Sequence, residues 1–110
     1  MKRDSKFYIK DILDSMEKIE KYTKGLSFRE FSRDEMLIDA VVRNFEIIGE
    51  ASKNIPSKLR SLNEEIPWKE MAGMRDKITH DYFGVDLKIV WKTLKKSLPV
   101  LKISIKNILK

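Results

Sequence analysis

The stretch that decides the fold spans residues 34–55 and reads DEMLIDAVVRNFEIIGEASKNI. Its apolar residues recur at three- and four-residue spacing, which is typical of an amphipathic helix. On a helical wheel they form two neighbouring stripes: Leu37, Val41, Asn44, Ile48, Ala51 and Ile55 in one, and Ile38, Val42, Phe45 and Gly49 in the other. Two apolar stripes predict burial on two sides. This segment is therefore predicted to be the central helix of an all-α bundle.

The side of the central helix that is predicted to face water is a narrow polar strip, formed by Asp39, Arg43, Glu46, Glu50 and Lys53. Their signs alternate at three- and four-residue spacing, so mutual pairing is possible. Asn44 is different, because it lies within an apolar stripe and its amide needs hydrogen-bond partners there. We expect it to support the site by tying the central helix to the backbone of the segment at residues 74–83.

Helical spacing continues on both sides of the central segment. The other predicted helices run from about Asp4 to Lys24, from Pro56 to Asn63, from Pro67 to about Tyr82, and from Asp86 to about Lys110, with a capping box at Ser27–Glu30. Gly25 is expected to end the first helix, and Pro56 to take the first helical position of the third. Pro99 is predicted to bend the last helix without reaching the core.

Length and composition predict one helical domain over residues 1–110. The chain has 110 residues, 42% of them hydrophobic, and this size supports a small core. The absence of cysteine excludes disulfides and thiolate metal sites. Neither the apolar core of a signal peptide nor a segment of membrane-spanning length occurs, so we expect a soluble, cytoplasmic protein with no membrane contact.

Positive charge is concentrated at the C-terminal end. The net charge is +6, yet residues 87–110 contain seven lysines and no acid. The lysines share one stripe of the predicted helix: Lys88, Lys92, Lys95, Lys96, Lys102, Lys106 and Lys110. Such a face would attract the phosphates of RNA or of a nucleotide-bearing partner. An ordinary solvated face is the alternative, and it is favoured because no interleaved aromatic residues offer base stacking.

The residues most suited to chemistry lie in Met74-Arg-Asp-Lys-Ile-Thr-His-Asp-Tyr-Phe83. His80 is the only histidine, and a chain without cysteine has few other groups that move protons near neutral pH. Arg75 falls on a predicted apolar face, where a guanidinium needs a partner. That partner is an acid such as Glu46 or Glu50, a subunit interface, or an anionic ligand.

Arg75 and His80 cannot meet on one straight helical face, because five residues turn an ideal helix by about 140° beyond one full turn. Either the helix loosens before His80, or a second copy of the chain completes the pair across a twofold axis. Tyr82 shares the face of Arg75. It is either a core or interface aromatic, or a phenol presented beside the site.

The pattern Arg75-x4-His80-x-Tyr82 resembles the signature of the HEPN superfamily (higher eukaryotes and prokaryotes nucleotide-binding), in the form found in HepT-type toxins. Other blocks resemble family positions in the same order: Asp39–Asn44, Ile48–Ala51, Pro67–Trp68, Gly73–Arg75 and Val90–Trp91. The likeness therefore covers nearly the whole chain. It implies a four- to five-helix HEPN-like bundle with a long kinked C-terminal helix.

The resemblance also implies a homodimer in which two motifs share a composite cleft, and a metal-independent endoribonuclease that needs no cofactor. His80 would act as general base or acid, and Arg75 would stabilise the charge of the phosphorane. RNA supplies its own 2′-hydroxyl nucleophile, so a base and a cation suffice. The products would carry a 2′,3′-cyclic phosphate.

A partner protein is implied as well. HepT-type toxins pair with a minimal nucleotidyltransferase antitoxin, which uses ATP to add AMP to the tyrosine of the motif. On this basis Tyr82 is the expected modification site, and a bulky anion there would repel RNA phosphate. The alternatives are a non-catalytic helical adaptor or nucleotide-binding subunit of a nucleotidyltransferase, and a purely structural dimer.

Overall fold

The computed structural model describes residues 4–80 and 86–110, with side chains described outside residues 75–80. These residues form helices joined by short turns, which confirms the predicted all-α class. The helices are α1 (Ser5–Thr23), α2 (Phe28–Ser32), α3 (Glu35–Lys53), α4 (Ser57–Leu62), α5 (Trp68–His80), α6 (Leu87–Lys92) and α7 (Leu98–Ile108), with a π-helical turn (Thr93–Ser97) between the last two.

Helix α3 is the centre of the bundle, as its two apolar stripes predict. It packs against both α1 and α5, whereas α7 packs on α1, and α2 bridges α3 and α6. The core that these helices share includes Ile12 and Met16 of α1, Ile48 of α3, Leu94 of the π-helical turn and Ile105 of α7, each at most 3% exposed. The predicted polar strip of α3 is confirmed, since four of its residues are exposed and Glu46 is half-buried.

The starts of α1 and α3 lie within one residue of the predicted bounds. Asp4 and Asp34 cap α1 and α3 by accepting hydrogen bonds from the backbone amides of Lys6 and Leu37. Gly25 follows α1 with a φ of 77°, a conformation that side-chain-bearing residues rarely adopt.

Ser27 and Glu30 form the predicted capping box. The Glu30 amide donates to Ser27 Oγ at 3.1 Å, and the Ser27 amide donates to Glu30 Oε1 at 3.0 Å. The Ser27 backbone amide lowers the pKa of Glu30, because its hydrogen bond favours the carboxylate. Local chemistry therefore determines the start of α2.

One predicted helix start is shifted by a residue. Pro56 occupies the N-cap of α4 and not its first helical position, because its ψ of 147° is extended and the helical turn begins at Ser57. Helix α5 extends to His80, and the predicted end near Tyr82 lies outside the described residues. Within residues 4–80 and 86–110, none of the helices combines the length and apolar character that crossing a membrane requires.

The long C-terminal helix is confirmed, and its irregularity is the π-helical turn directly before Pro99. Leu98 donates its backbone amide to the carbonyl of Thr93, five residues earlier. The wider turn is one way to accommodate Pro99, which has no amide hydrogen and whose ring would clash with the preceding turn of a regular helix.

Candidate functional site

Helix α5 carries the predicted catalytic pair, and its first turns are anchored in the core. Trp68 and Met71 are 6% and 1% exposed. The Trp68 indole donates to the carbonyl of Asn63 at 3.1 Å, and the Met71 amide donates to the carbonyl of Pro67 at 3.0 Å. This packing orients the axis of the helix on which Arg75 and His80 follow.

The backbone of α5 is helical through Arg75 to His80. The alternative in which the helix loosens before His80 is therefore wrong. On a regular helix the two positions lie about 7.5 Å apart along the axis and about 140° apart around it. The side chains of Arg75 and His80, and the whole of Tyr82, lie outside the described part of the structure.

Asn44 is buried in α3, as predicted, at 6% exposure. Its Nδ2 donates to the carbonyl of Ala40 in the same helix at 2.8 Å. Its Oδ1 is buried and accepts no hydrogen bond within the described residues. The bond that is described is local to α3, so a tie from Asn44 to the motif helix stays a prediction about Oδ1.

Glu46 and Glu50 line a groove of about 290 Å³ between α1 and α3. The described partner of Glu46 is Arg43, whose Nη1 lies 4.0 Å from Glu46 Oε2. Glu50 is exposed at the same groove, and α1 contributes Tyr8 and Asp11 to it. A role for either acid beside Arg75 stays a prediction, because the Arg75 side chain is not described.

The α1 part of this groove was not predicted. Tyr8 and Asp11 meet Glu50 only because of the way α1 packs on α3, and no local pattern in the sequence encodes that register. The combination of a phenol, carboxylates and the Arg43 guanidinium makes the groove polar. It can offer both hydrogen-bond donors and acceptors.

The predicted lysine stripe divides into two parts at the π-helical turn. Six of its lysines are exposed, but Lys102 is half-buried and its Nζ lies 2.8 Å from Glu20 Oε1 of α1. The hydrogen bond to Glu20 raises the pKa of Lys102. Within the turn, Lys95 Nζ lies 4.7 Å from the centroid of the Trp91 ring. The cationic surface is thus smaller than a straight helix predicts.

Comparison with known proteins covers almost the entire chain. The profile of a family described as "Ribonuclease HepT-like" matches residues 12–108, a range that contains Arg75, His80 and Tyr82. A "Probable ribonuclease HepT" from Thermococcus cleftensis is 52% identical over 102 residues, which cover 93% of this chain and 93% of that protein.

Two further relatives carry the name "Putative RNase". One, from Caldanaerobacter subterraneus, is 47% identical over 93% of this chain and 91% of its own length. The other, from Methanocaldococcus jannaschii, is 46% identical over 99% of this chain and 90% of its own length. No solved structure was found to match. The family profile and the extent of these identities show that the chain belongs to the HepT-like ribonuclease family.

Proposed function

We propose that this protein is a ribonuclease toxin whose active centres are built from Arg75 of one copy and His80 of a second. The observation that carries the proposal is the unbroken helical backbone between these two positions. It separates them by about 140° around α5, so one helix presents them on different sides. Two α5 helices related by a twofold axis would bring each arginine beside the histidine of the other chain.

The substrate supplies most of the chemistry. His80 acting as general base takes the proton of the RNA 2′-hydroxyl, whose oxygen attacks the adjacent phosphorus. The bond from phosphorus to the 5′-oxygen breaks, and that oxygen takes a proton from water. The products are a 2′,3′-cyclic phosphate and a 5′-hydroxyl end.

Arg75 has a separate task. Negative charge builds up on the phosphorane oxygens, and a guanidinium can donate two hydrogen bonds to them. Proton transfer and charge stabilisation together require no metal ion or other cofactor. This is the chemical basis for proposing a metal-independent reaction.

Control of the toxin is proposed to act through Tyr82. A partner nucleotidyltransferase would transfer AMP from ATP to the phenol oxygen and release pyrophosphate. The adenylate adds bulk and negative charge two residues after His80, so it would block the cleft and repel RNA. The support for this regulation is the motif Arg75-x4-His80-x-Tyr82 within a chain of this family.

An RNA cleavage assay in EDTA tests the catalytic proposal. The unaltered protein should cleave RNA to products with a 2′,3′-cyclic phosphate, and His80→Ala and Arg75→Ala should each lose at least a hundredfold in rate. Lys69→Ala, an exposed cation near the start of α5, is the matched control and should retain activity. Undiminished cleavage by both variants, or complete loss of cleavage in EDTA, would contradict the proposal.

A further inference from the structure

An apolar patch lies on the outer face of α7. Val100 and Ile103 are each 64% exposed, and Pro99 beside them is exposed as well. Val100 and Ile103 are three positions apart in the chain, so the two side chains are neighbours on one face of the helix. Leu98 and Ile105 fill the core from the other side. Two adjacent exposed apolar side chains mark a binding surface better than a single one does, because burying them together favours association.

Cations frame this patch along the helix. Lys96 precedes Val100 by four residues and Lys106 follows Ile103 by three, and both are exposed. Lys102 forms an ion pair with Glu20. Lys96 and Lys106 are the exposed cations at the two ends of the patch. We call the surface formed by Lys96, Pro99, Val100, Ile103 and Lys106 the α7 outer face.

The chemistry of this face favours one kind of occupant. RNA would suit the lysines, but Val100 and Ile103 have no planar group on which a base could stack. The same face of a second copy would bring lysine against lysine, which is repulsive. An amphipathic helix with carboxylates beside its apolar residues can cover the apolar patch and pair with both cations at once.

We propose that the α7 outer face binds an acidic amphipathic helix of a partner protein. Lys96 and Lys106 are ten residues apart, about 15 Å along a helix. A partner helix therefore needs two carboxylates at about that separation, with apolar residues at three- and four-residue spacing between them. This inference is independent of ribonuclease activity and of the modification of Tyr82.

A fluorescence anisotropy titration of the full chain tests the proposal with a defined probe. The probe is a labelled helical peptide of about 18 residues, with leucines at three- and four-residue spacing and flanking glutamates. A second peptide has lysines in place of the glutamates, and a labelled uridine oligonucleotide represents RNA. We expect saturable binding of the acidic peptide that weakens with salt, and at least tenfold weaker binding of the lysine peptide.

The double variant V100K/I103K separates the possible occupants. It removes the apolar patch, and this loss should outweigh the attraction of the added lysines for the glutamates, so the acidic peptide should bind at least tenfold more weakly. The control M36K/L62K alters two apolar residues that are 84% and 72% exposed elsewhere, and it should bind like the unaltered protein. Circular dichroism of both variants checks that helical content is retained.

Three results would overturn the proposal. The first is the absence of peptide binding, or equal binding by V100K/I103K. The second is RNA binding that the acidic peptide displaces and that V100K/I103K strengthens, which would assign the face to nucleic acid. The third is conversion of a dimer to a monomer by V100K/I103K in size-exclusion chromatography with light scattering, which would assign it to a second copy.

Discussion

Lys102 Nζ lies 2.8 Å from Glu20 Oε1, and this ion pair joins α7 to α1. The two side chains are only 25% and 34% exposed, so the pair is better shielded from water than the surface lysines around it. Glu20 raises the pKa of Lys102, because its carboxylate accepts a hydrogen bond from the charged amine. The contact adds a polar link to the packing of α7 on α1.

Lys102→Ala should lower the free energy of unfolding by about 0.5–1 kcal/mol, the upper part of the range for accessible ion pairs. Urea denaturation measures the loss. Lys106→Ala, an exposed lysine one turn away on the same helix, should change stability by less than about 0.5 kcal/mol. Equal effects of the two substitutions would show that the Glu20 contact contributes nothing specific.

The pH dependence of this contribution follows from the raised pKa of Lys102. A raised pKa means that the stabilisation is fully present below the ordinary value of 10.5 and is lost as pH rises through the folded-state pKa. The stability difference between the unaltered protein and Lys102→Met should therefore be constant from neutral pH to about 10 and shrink at higher pH. A difference that already shrinks near pH 8 would contradict this assignment.

The capping box of α2 predicts a pH dependence of stability that is opposite to that of Lys102. Hydrogen bonds from Ser27 lower the pKa of Glu30, so its contribution is present above the ordinary value of 4.5 and is lost as pH falls through the folded-state pKa. Ser27→Ala should lower the free energy of unfolding by about 1 kcal/mol at neutral pH, because it removes the N-cap of α2. This short helix positions Phe31, which is fully buried. Thermal unfolding between pH 3 and pH 7, with Ser32→Ala as the control, would measure both effects.

Helix ends and the central position of α3 could be predicted from the sequence because their causes are local. Asp34 lies just before the first helical turn and accepts the Leu37 amide, and Gly25 supplies the positive φ that ends α1. The two apolar stripes of α3 likewise correspond to its two packing partners, α1 and α5. In these cases a residue type and its spacing were sufficient.

The C-terminal helix was less predictable, because the wheel assumed the same rotation at every residue. The π-helical turn, which lies directly before Pro99, changes the rotation between Lys92 and Leu98. Lys102 consequently meets Glu20, although it belonged to the predicted solvent-facing stripe. For the candidate site, the sequence left two relations between Arg75 and His80 open, and the helical backbone of α5 removed one.

Mixing two inactive variants tests whether the active centre is shared between chains. If each centre combines Arg75 of one copy with His80 of the other, a dimer of one Arg75→Ala chain and one His80→Ala chain keeps one intact centre. Denaturing and refolding the two variants together should restore cleavage to roughly a quarter of the unaltered level, since about half of the dimers are mixed and each has one of two centres.

Refolding each variant alone is the control and should restore nothing. A mixture that stays as inactive as its components would place Arg75 and His80 of the same chain in one centre. It would leave the ribonuclease proposal standing and remove only its composite form. Size-exclusion chromatography of the mixture must show that dimers re-formed.

Tyr82→Phe should separate activity from silencing. The variant lacks only the phenol oxygen, so it should cleave RNA at a rate close to that of the unaltered protein, because the proposed mechanism assigns that oxygen no part in the reaction. Co-expression with the partner nucleotidyltransferase should add adenylate mass to the unaltered protein and none to the variant. Equal adenylate gain in an intact-mass measurement would place the modification on another residue.

Asn44→Leu addresses the buried amide in the centre of α3. The carbonyl of Ala40 is the acceptor that a regular helix pairs with the backbone amide of residue 44, so losing the Nδ2 contact leaves no buried carbonyl without a donor. Replacing an amide whose Oδ1 has no partner within the described residues by an apolar group of similar size should leave stability unchanged or raise it by about 1 kcal/mol. Asn54→Leu is the matched control, because Asn54 makes the same local bond, to the carbonyl of Glu50, but is exposed. A loss of more than about 2 kcal/mol for Asn44→Leu alone, together with slower RNA cleavage, would instead support the predicted tie between Asn44 and the motif helix.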